Sequence, residues 1–146
     1  MATILDYLSG DHRVCDDLFA SVEAAVAHRD WDSARRQFDR FVAATLRHLA
    51  REEQVLFPAF ETRTANDMGP TRVMRMEHEQ IRGLMQDMAR TVADADHCRY
   101  LGLSETLHLL LQHHNLKEED LLFPMFDQML DDERDGLIVA MQAIAR

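Results

Sequence analysis

At 146 residues the chain has the length of one domain, expected to span 1–146, and its 47% apolar content is enough for a real core. Only 5 Gly and 3 Pro among abundant Ala, Leu, Met, Arg and Glu favour an all-helical chain over a β-rich one. The net charge of -10 excludes the basic face of a nucleic-acid binder but leaves cationic partners open, metal ions included. Two cysteines, Cys15 and Cys98, form no disulfide framework and fit a reducing cytosol. The opening "MATILDYLSGDHR" carries no signal-peptide pattern, and nothing reaches the roughly 18 apolar residues of a membrane span, so a cytoplasmic protein is expected.

Apolar residues recur at helical spacing along most of the chain. Leu5, Leu8, Cys15, Leu18, Phe19, Val22 and Val26 form one stripe and predict a first helix over roughly 3–28. The polar break "HRDWDSA" offers Asp30 or Asp32 as the N-cap of a second helix over about 32–64, with Phe38, Phe41, Val42, Thr45, Leu49, Leu56 and Phe60 on its apolar face. Pro58 is expected to kink that helix or end its regular part. The loop "TANDMGP" follows, with Pro70 placed to open a third helix over roughly 70–94. "DADHCR" separates it from a fourth helix over roughly 99–128, and "ERDGLIVAMQAIAR" predicts a short fifth.

The chain repeats itself. "RHLAREEQVLFPAF" (47–60) returns as "HHNLKEEDLLFPMF" (113–126), a shift of 66 residues. The same shift carries "DHRVCDDLF" around His12 onto "EHEQIRGLM" around His78. Two helical hairpins of one design follow, with short breaks that make successive helices antiparallel neighbours. Packed face to face, they predict an up-down-up-down four-helix bundle with a pseudo-two-fold axis and a short C-terminal fifth helix.

On a helix, residues four apart share a face, about 6 Å apart at Cβ. His48 therefore points with Glu52, and His114 with Glu118. Each Glu sits one turn before a stripe leucine, Leu56 or Leu122, so it lies on the apolar face. His12 and His78 are flanked by stripe residues in the same way. Four imidazoles and two carboxylates thus converge inside one bundle. Buried charges are costly unless paired or metal-bound, and no Lys or Arg lies on these stripes within a turn of the two Glu. A metal pair resolves the conflict: two His for each ion, with Glu52 and Glu118 bridging. The imidazole and carboxylate mixture suits iron best, with manganese and zinc as alternatives. Glu53 and Glu119 lie about 100° round the helix and read as solvated or as neighbours of the ligands. Cys15, whose repeat counterpart is Ile81, reads as a small buried hydrophobe. His113 reads as exposed or a neighbour of the site, while His28, His97 and His108 have no metal partner by spacing.

His12, then His48 with Glu52 and "LFP", then "EHE" at His78, then "HHNLKEEDLLFP" resembles the hemerythrin-like, or HHE cation-binding, domain over nearly the whole chain. The resemblance implies a four-helix bundle around a non-haem di-iron centre, two iron ions bridged by oxo or hydroxo, with His12, His48, Glu52, His78, His114 and Glu118 as metal ligands. The chain departs from the invertebrate oxygen carriers, which have an H-x-x-x-H pair on the third helix: four residues from His78 stand Met74 and Arg82. It looks more like the bacterial and regulatory members. The resemblance does not take in the Cys-containing N-terminal domain of the iron–sulfur repair relatives, which weakens the expectation of a repair role.

The leading expectation is a cytosolic di-iron protein that binds a small diatomic ligand, oxygen or nitric oxide, or responds to iron, in sensing, storage or protection. No nucleic acid, membrane or particular protein partner is implied. One alternative is a di-iron oxidoreductase consuming peroxide or nitric oxide; whether the chain is an enzyme stays open. Another is a zinc-stabilised helical interaction module.

Overall fold

In a computed structural model, which describes residues 2–144, the chain is helical throughout, with no strand among the described residues. The elements are α1 (Ile4–Ala27), α2 (Trp31–Arg51), α3 (Phe57–Thr64), α4 (Pro70–Ala93), α5 (His97–Lys117), α6 (Phe123–Met129) and α7 (Arg134–Gln142). Helices α2 and α3 are one rod, joined by a π-helical turn at Glu52–Leu56, and α5 and α6 are another, joined at Glu118–Leu122. The expected four long helices are thus α1, the α2–α3 rod, α4 and the α5–α6 rod. Helix α7 is the short fifth; the last two residues of its expected span, 145–146, lie outside the described residues.

The helix ends follow local chemistry. Asp30 caps α2 by accepting from Ser33 N–H at 3.1 Å, and Asp96 caps α5 by accepting from Arg99 N–H at 3.1 Å. The same two residues close the preceding helices: Asp30 N–H donates to Ala25 O at 3.0 Å and Asp96 N–H to Thr91 O at 2.8 Å. Between cap and helix sit Arg29 (φ 56°) and Ala95 (φ 54°), left-handed residues that are not glycine. Each hairpin is therefore hinged by one residue that ends a helix and starts the next.

The regular α-helix is interrupted just before Pro58, as expected, and in the same way before Pro124, while both rods continue beyond. Proline has no N–H to give and its ring crowds the carbonyl four residues back. The chain answers with one wider turn just before each: Phe57 N–H reaches Glu52 O, and Phe123 N–H reaches Glu118 O, five residues back. Such turns recur at functional positions. Here each one begins on a buried Glu, and it lets two successive residues, Leu56 with Phe57 and Leu122 with Phe123, face the interior.

The core forms two clusters. One is built on Phe19, Phe38, Phe41, Ile81, Met88, Tyr100 and Leu107. The other is built on Leu8, Leu56, Phe57, Met74, Phe123 and Phe126, and α7 covers it with Ile138 and Met141. Along every long helix the His and Glu residues fall between the two, so the polar layer is sealed at both ends by dry packing. The hairpins also cap one another. Asp127 accepts from Ile4 N–H (2.7 Å) and Leu5 N–H (3.0 Å) at the start of α1. Its repeat counterpart Glu61 accepts from Thr71 Oγ1 (2.7 Å) and Arg75 Nη2 (3.0 Å) at the start of α4. Asp127→Ala frees two helix-end donors, and denaturant unfolding should show a loss of about 1–2 kcal/mol.

Candidate metal centre

All six predicted donors converge in the polar layer. Glu52, Glu118 and His78 are wholly buried, and His12, His48 and His114 are nearly so. Two groups of donor atoms form, His12–His48–Glu52–Glu118 and Glu52–His78–His114–Glu118, each with its atoms within 4.8 Å of one another. The two carboxylates belong to both groups. Each imidazole pair comes from one hairpin, with ring centroids 4.7 Å apart for His12 and His48 and 5.0 Å for His78 and His114.

Every ring turns Nε2 inward. His12 Nε2 lies 3.1 Å from both His48 Nε2 and Glu118 Oε1, and His78 Nε2 lies 3.0 Å from Glu52 Oε1. His48 Nε2 is 3.5 Å from Glu52 Oε2, and His114 Nε2 is 3.3 Å from Glu118 Oε1. Several of these approaches lack hydrogen-bond geometry. Both oxygens of Glu52, Glu118 Oε2, His78 Nε2 and His114 Nε2 are buried without a hydrogen-bond partner. Buried polar atoms are nearly always satisfied, so five orphans on residues of the two donor groups fit cations that would take them as ligands. Nitrogen and oxygen donors in this ratio suit a first-row transition metal.

Every ring also turns Nδ1 outward onto a carboxylate. His12 meets Glu119 at 2.8 Å, His48 meets Asp11 at 3.0 Å, His78 meets Glu53 at 2.7 Å and His114 meets Glu77 at 2.8 Å. A carboxylate on Nδ1 fixes the proton there and leaves the Nε2 lone pair for a metal. Of these four, Glu53 and Glu119 were left by spacing as solvated or as neighbours of the ligands, and both turn inward. Asp11 and Glu77 went unnoticed, although they are repeat counterparts, each one residue before a ligand-type His. Two cations hold them in turn: Arg51 Nη1 reaches Asp11 Oδ1 at 2.8 Å, and Lys117 pairs with Glu77. Arg51 Nε also donates to Met141 O at 3.0 Å, tying α7 to the centre.

The electrostatics follow from burial and proximity. Burial alone would lower the His48 pKa, but the charges of Glu52, Asp11 and Glu118 hold it well above the usual range. His78 is raised by Glu52 and Glu53 against the same opposition from burial. His114 is likewise depressed by burial, yet Glu118, Glu52 and Glu77 carry it to about 9. Burial works to raise Glu52, and the surrounding imidazoles overcome it and hold the carboxyl well below its usual range. Among the described residues no Lys or Arg contacts Glu52 or Glu118; the groups within reach of them are the imidazoles of His12, His48, His78 and His114.

Aromatic rings seal the layer crosswise. Phe57 stacks on His78 of the other hairpin at 5.6 Å, and Phe123 lies over His12 of the other hairpin at 5.6 Å. Of the two positions four residues from His78, Met74 is buried in the apolar cluster, and Arg82 grips Glu53 through Nη1 (2.9 Å) and Nη2 (2.5 Å). Burial works to raise the Glu53 carboxyl, but its hydrogen bonds to His78 and Arg82 and their charges pull it down to about 2. Cys15 is half-buried, and burial pushes its thiol up. His28, His108 and His113 are exposed and His97 is half-exposed, all outside the donor groups.

Comparison with known proteins agrees with this geometry. The chain is similar to the iron-sulfur cluster repair protein YtfE of Edwardsiella ictaluri, 34% identical over 104 residues, covering 64% of this chain and 43% of that one. The YtfE protein of Enterobacter sp. is 33% identical over 87 residues, covering 53% of this chain and 39% of its own. A probable iron-sulfur cluster repair protein of Haemophilus influenzae is 32% identical over 99 residues, covering 60% of this chain and 44% of its own. The sequence reading had pointed away from repair proteins, yet these relatives bear that name, and the chain spans about two-fifths of their length. No solved structure matches the chain at a significant level. The profile of the Hemerythrin HHE cation binding domain matches residues 3–126, and the chain belongs to that family.

Proposed function

We propose that this chain holds two iron ions between its hairpins, one at His12 and His48 and the other at His78 and His114, with Glu52 and Glu118 shared. The carrying observation is the set of five buried donor atoms with no hydrogen-bond partner, all facing the space between the two imidazole pairs. A reduced iron pair supplies electrons and open coordination positions to a diatomic ligand such as oxygen or nitric oxide. The protein supplies the rest. Asp11, Glu53, Glu77 and Glu119 keep each Nδ1 protonated and each Nε2 lone pair aimed inward. Phe57, Phe123, Leu56 and Leu122 keep bulk water from the layer. The residues 1–146 act as one domain, and the chain works in the cytoplasm; no helix among its described residues is long and apolar enough to cross a membrane. The role in its relatives' names, iron–sulfur cluster repair, favours protection against iron or oxidative stress over simple carriage.

Anaerobic loading with ferrous iron should leave two irons per chain by elemental analysis, one for each donor group. Glu52→Ala or Glu118→Ala removes a shared ligand, and should lower iron content and abolish most of the rise in melting temperature on loading. Full iron content in both variants would remove the bridging role. Air and nitric oxide, added separately to the loaded protein, should each give reversible near-ultraviolet changes.

The raised imidazoles also set a pH dependence. A raised histidine contributes stability that is complete below its unfolded pKa, near 6.5, and is lost as pH rises through its folded value, about 9 for His114. The metal-free protein should therefore melt at lower temperature as pH rises from about 7 to about 10. The loaded protein, whose imidazoles carry metal in place of protons, should stay nearly flat. Loading near neutral pH should release protons, measurable with an indicator dye in weak buffer.

A further inference from the structure

The pseudo-two-fold axis relates two surface grooves as well as two imidazole pairs. One, about 930 Å³, lies between α1 and α5; the other, about 670 Å³, lies between α2 and α4. The repeat shift carries Asp16, Phe19, Glu23, Ser104, Glu105 and His108 of the first onto Arg82, Met85, Ala89, Phe38, Asp39 and Val42 of the second. Equivalent in place and both lined largely by apolar surface, they differ in charge. The α2–α4 groove is mostly apolar, and its Arg82 locks Glu53 with two hydrogen bonds. The α1–α5 groove carries four carboxylates, Asp16, Glu23, Glu105 and Glu119, and no Lys or Arg.

Its inner end is Glu119, the group that holds His12 Nδ1. Where Glu53 has Arg82, Glu119 has only Asp16 at the equivalent position and no cationic side chain beyond His12 among the described residues. Glu119 is 35% exposed against 19% for Glu53. One residue away, Glu118 Oε2 is fully buried and has no hydrogen-bond partner. Glu119 thus touches solvent on one side and the metal layer on the other, with no guanidinium to pin it.

We propose that the acidic groove between α1 and α5 is the entrance for hydrated divalent cations, which reach the His12 and His48 position past Glu119 while Arg82 closes the matching groove. This rests on the metal centre proposed above. A cleft of one sign concentrates the opposite charge and raises capture rates by about 10-fold to 1,000-fold. Rotation of Glu119 away from His12 opens the last step, and its return restores the ring's hold.

Uptake of ferrous iron by the metal-free full chain, followed anaerobically against a chromophoric chelator, tests this. Asp16→Arg copies the plug of the other groove, and should slow uptake about 10-fold or more by losing the field and pinning Glu119. Glu105→Lys, at an exposed position of the same groove, makes the same charge change without touching the core and should also slow uptake several-fold. Asp67→Arg, an equal charge change in the exposed loop before α4, should stay within about two-fold of the parent. All three should reach the parent's final iron content. Uptake at the parent rate in Asp16→Arg and Glu105→Lys, or equal slowing in Asp67→Arg, overturns the entrance. A parent chain that takes up no iron overturns the metal centre itself.

Discussion

Two carboxylates with no solvent and no guanidinium sit at the middle of this bundle, and the rest of the structure answers to them. Glu52 and Glu118 are wholly buried. An unpaired buried charge costs several kcal/mol, so the chain surrounds each with imidazoles from both hairpins. It then backs every imidazole with a second carboxylate on its far nitrogen. In the metal-free state protons hold this arrangement together; a pair of cations would hold it better, because they satisfy the oxygens and nitrogens that protons leave orphaned. The dry clusters on both sides keep water from doing the same work less specifically.

The pseudo-symmetry is physical economy with two deliberate breaks in equivalence. Glu53 and Glu119 cross from one hairpin to the His of the other, as do the Phe57 and Phe123 rings. Asp127 and Glu61 cross again at the helix starts. Neither hairpin can complete its half of the centre alone, so assembling the bundle and building the site are one event. The breaks are Arg82 against Asp16, and a groove with four carboxylates against one with a single carboxylate. They make the two ends of the donor layer unequal toward solvent.

Much of this was legible in the residues. The repeat gave the four rods and the six inward donors, because a shared shift across both halves is hard to produce by amphipathic patterning alone. Asp30 as a cap and Pro70 as a helix opener also followed from local chemistry. What stayed hidden needed three dimensions. Pro58 marked a break in regular helix, but its form, a wider turn repeated before Pro124, stayed hidden, since spacing cannot tell a bent helix from one that absorbs an extra residue. Asp11 and Glu77 looked like ordinary surface acids until the neighbouring helix brought His48 and His114 against them. Arg29 and Ala95 occupy left-handed positions that glycine usually marks. Arg82 read only as a missing ligand; its bond to Glu53 depends on the packing of α2 against α4.

Anomalous diffraction at the iron edge, from crystals of anaerobically loaded protein, tests the central claim most directly. The account requires two peaks per chain, one beside His12 and His48 and one beside His78 and His114, both in contact with Glu52 and Glu118. A single peak on the surface, or an empty layer with the imidazoles still bonded to the two carboxylates, would contradict it.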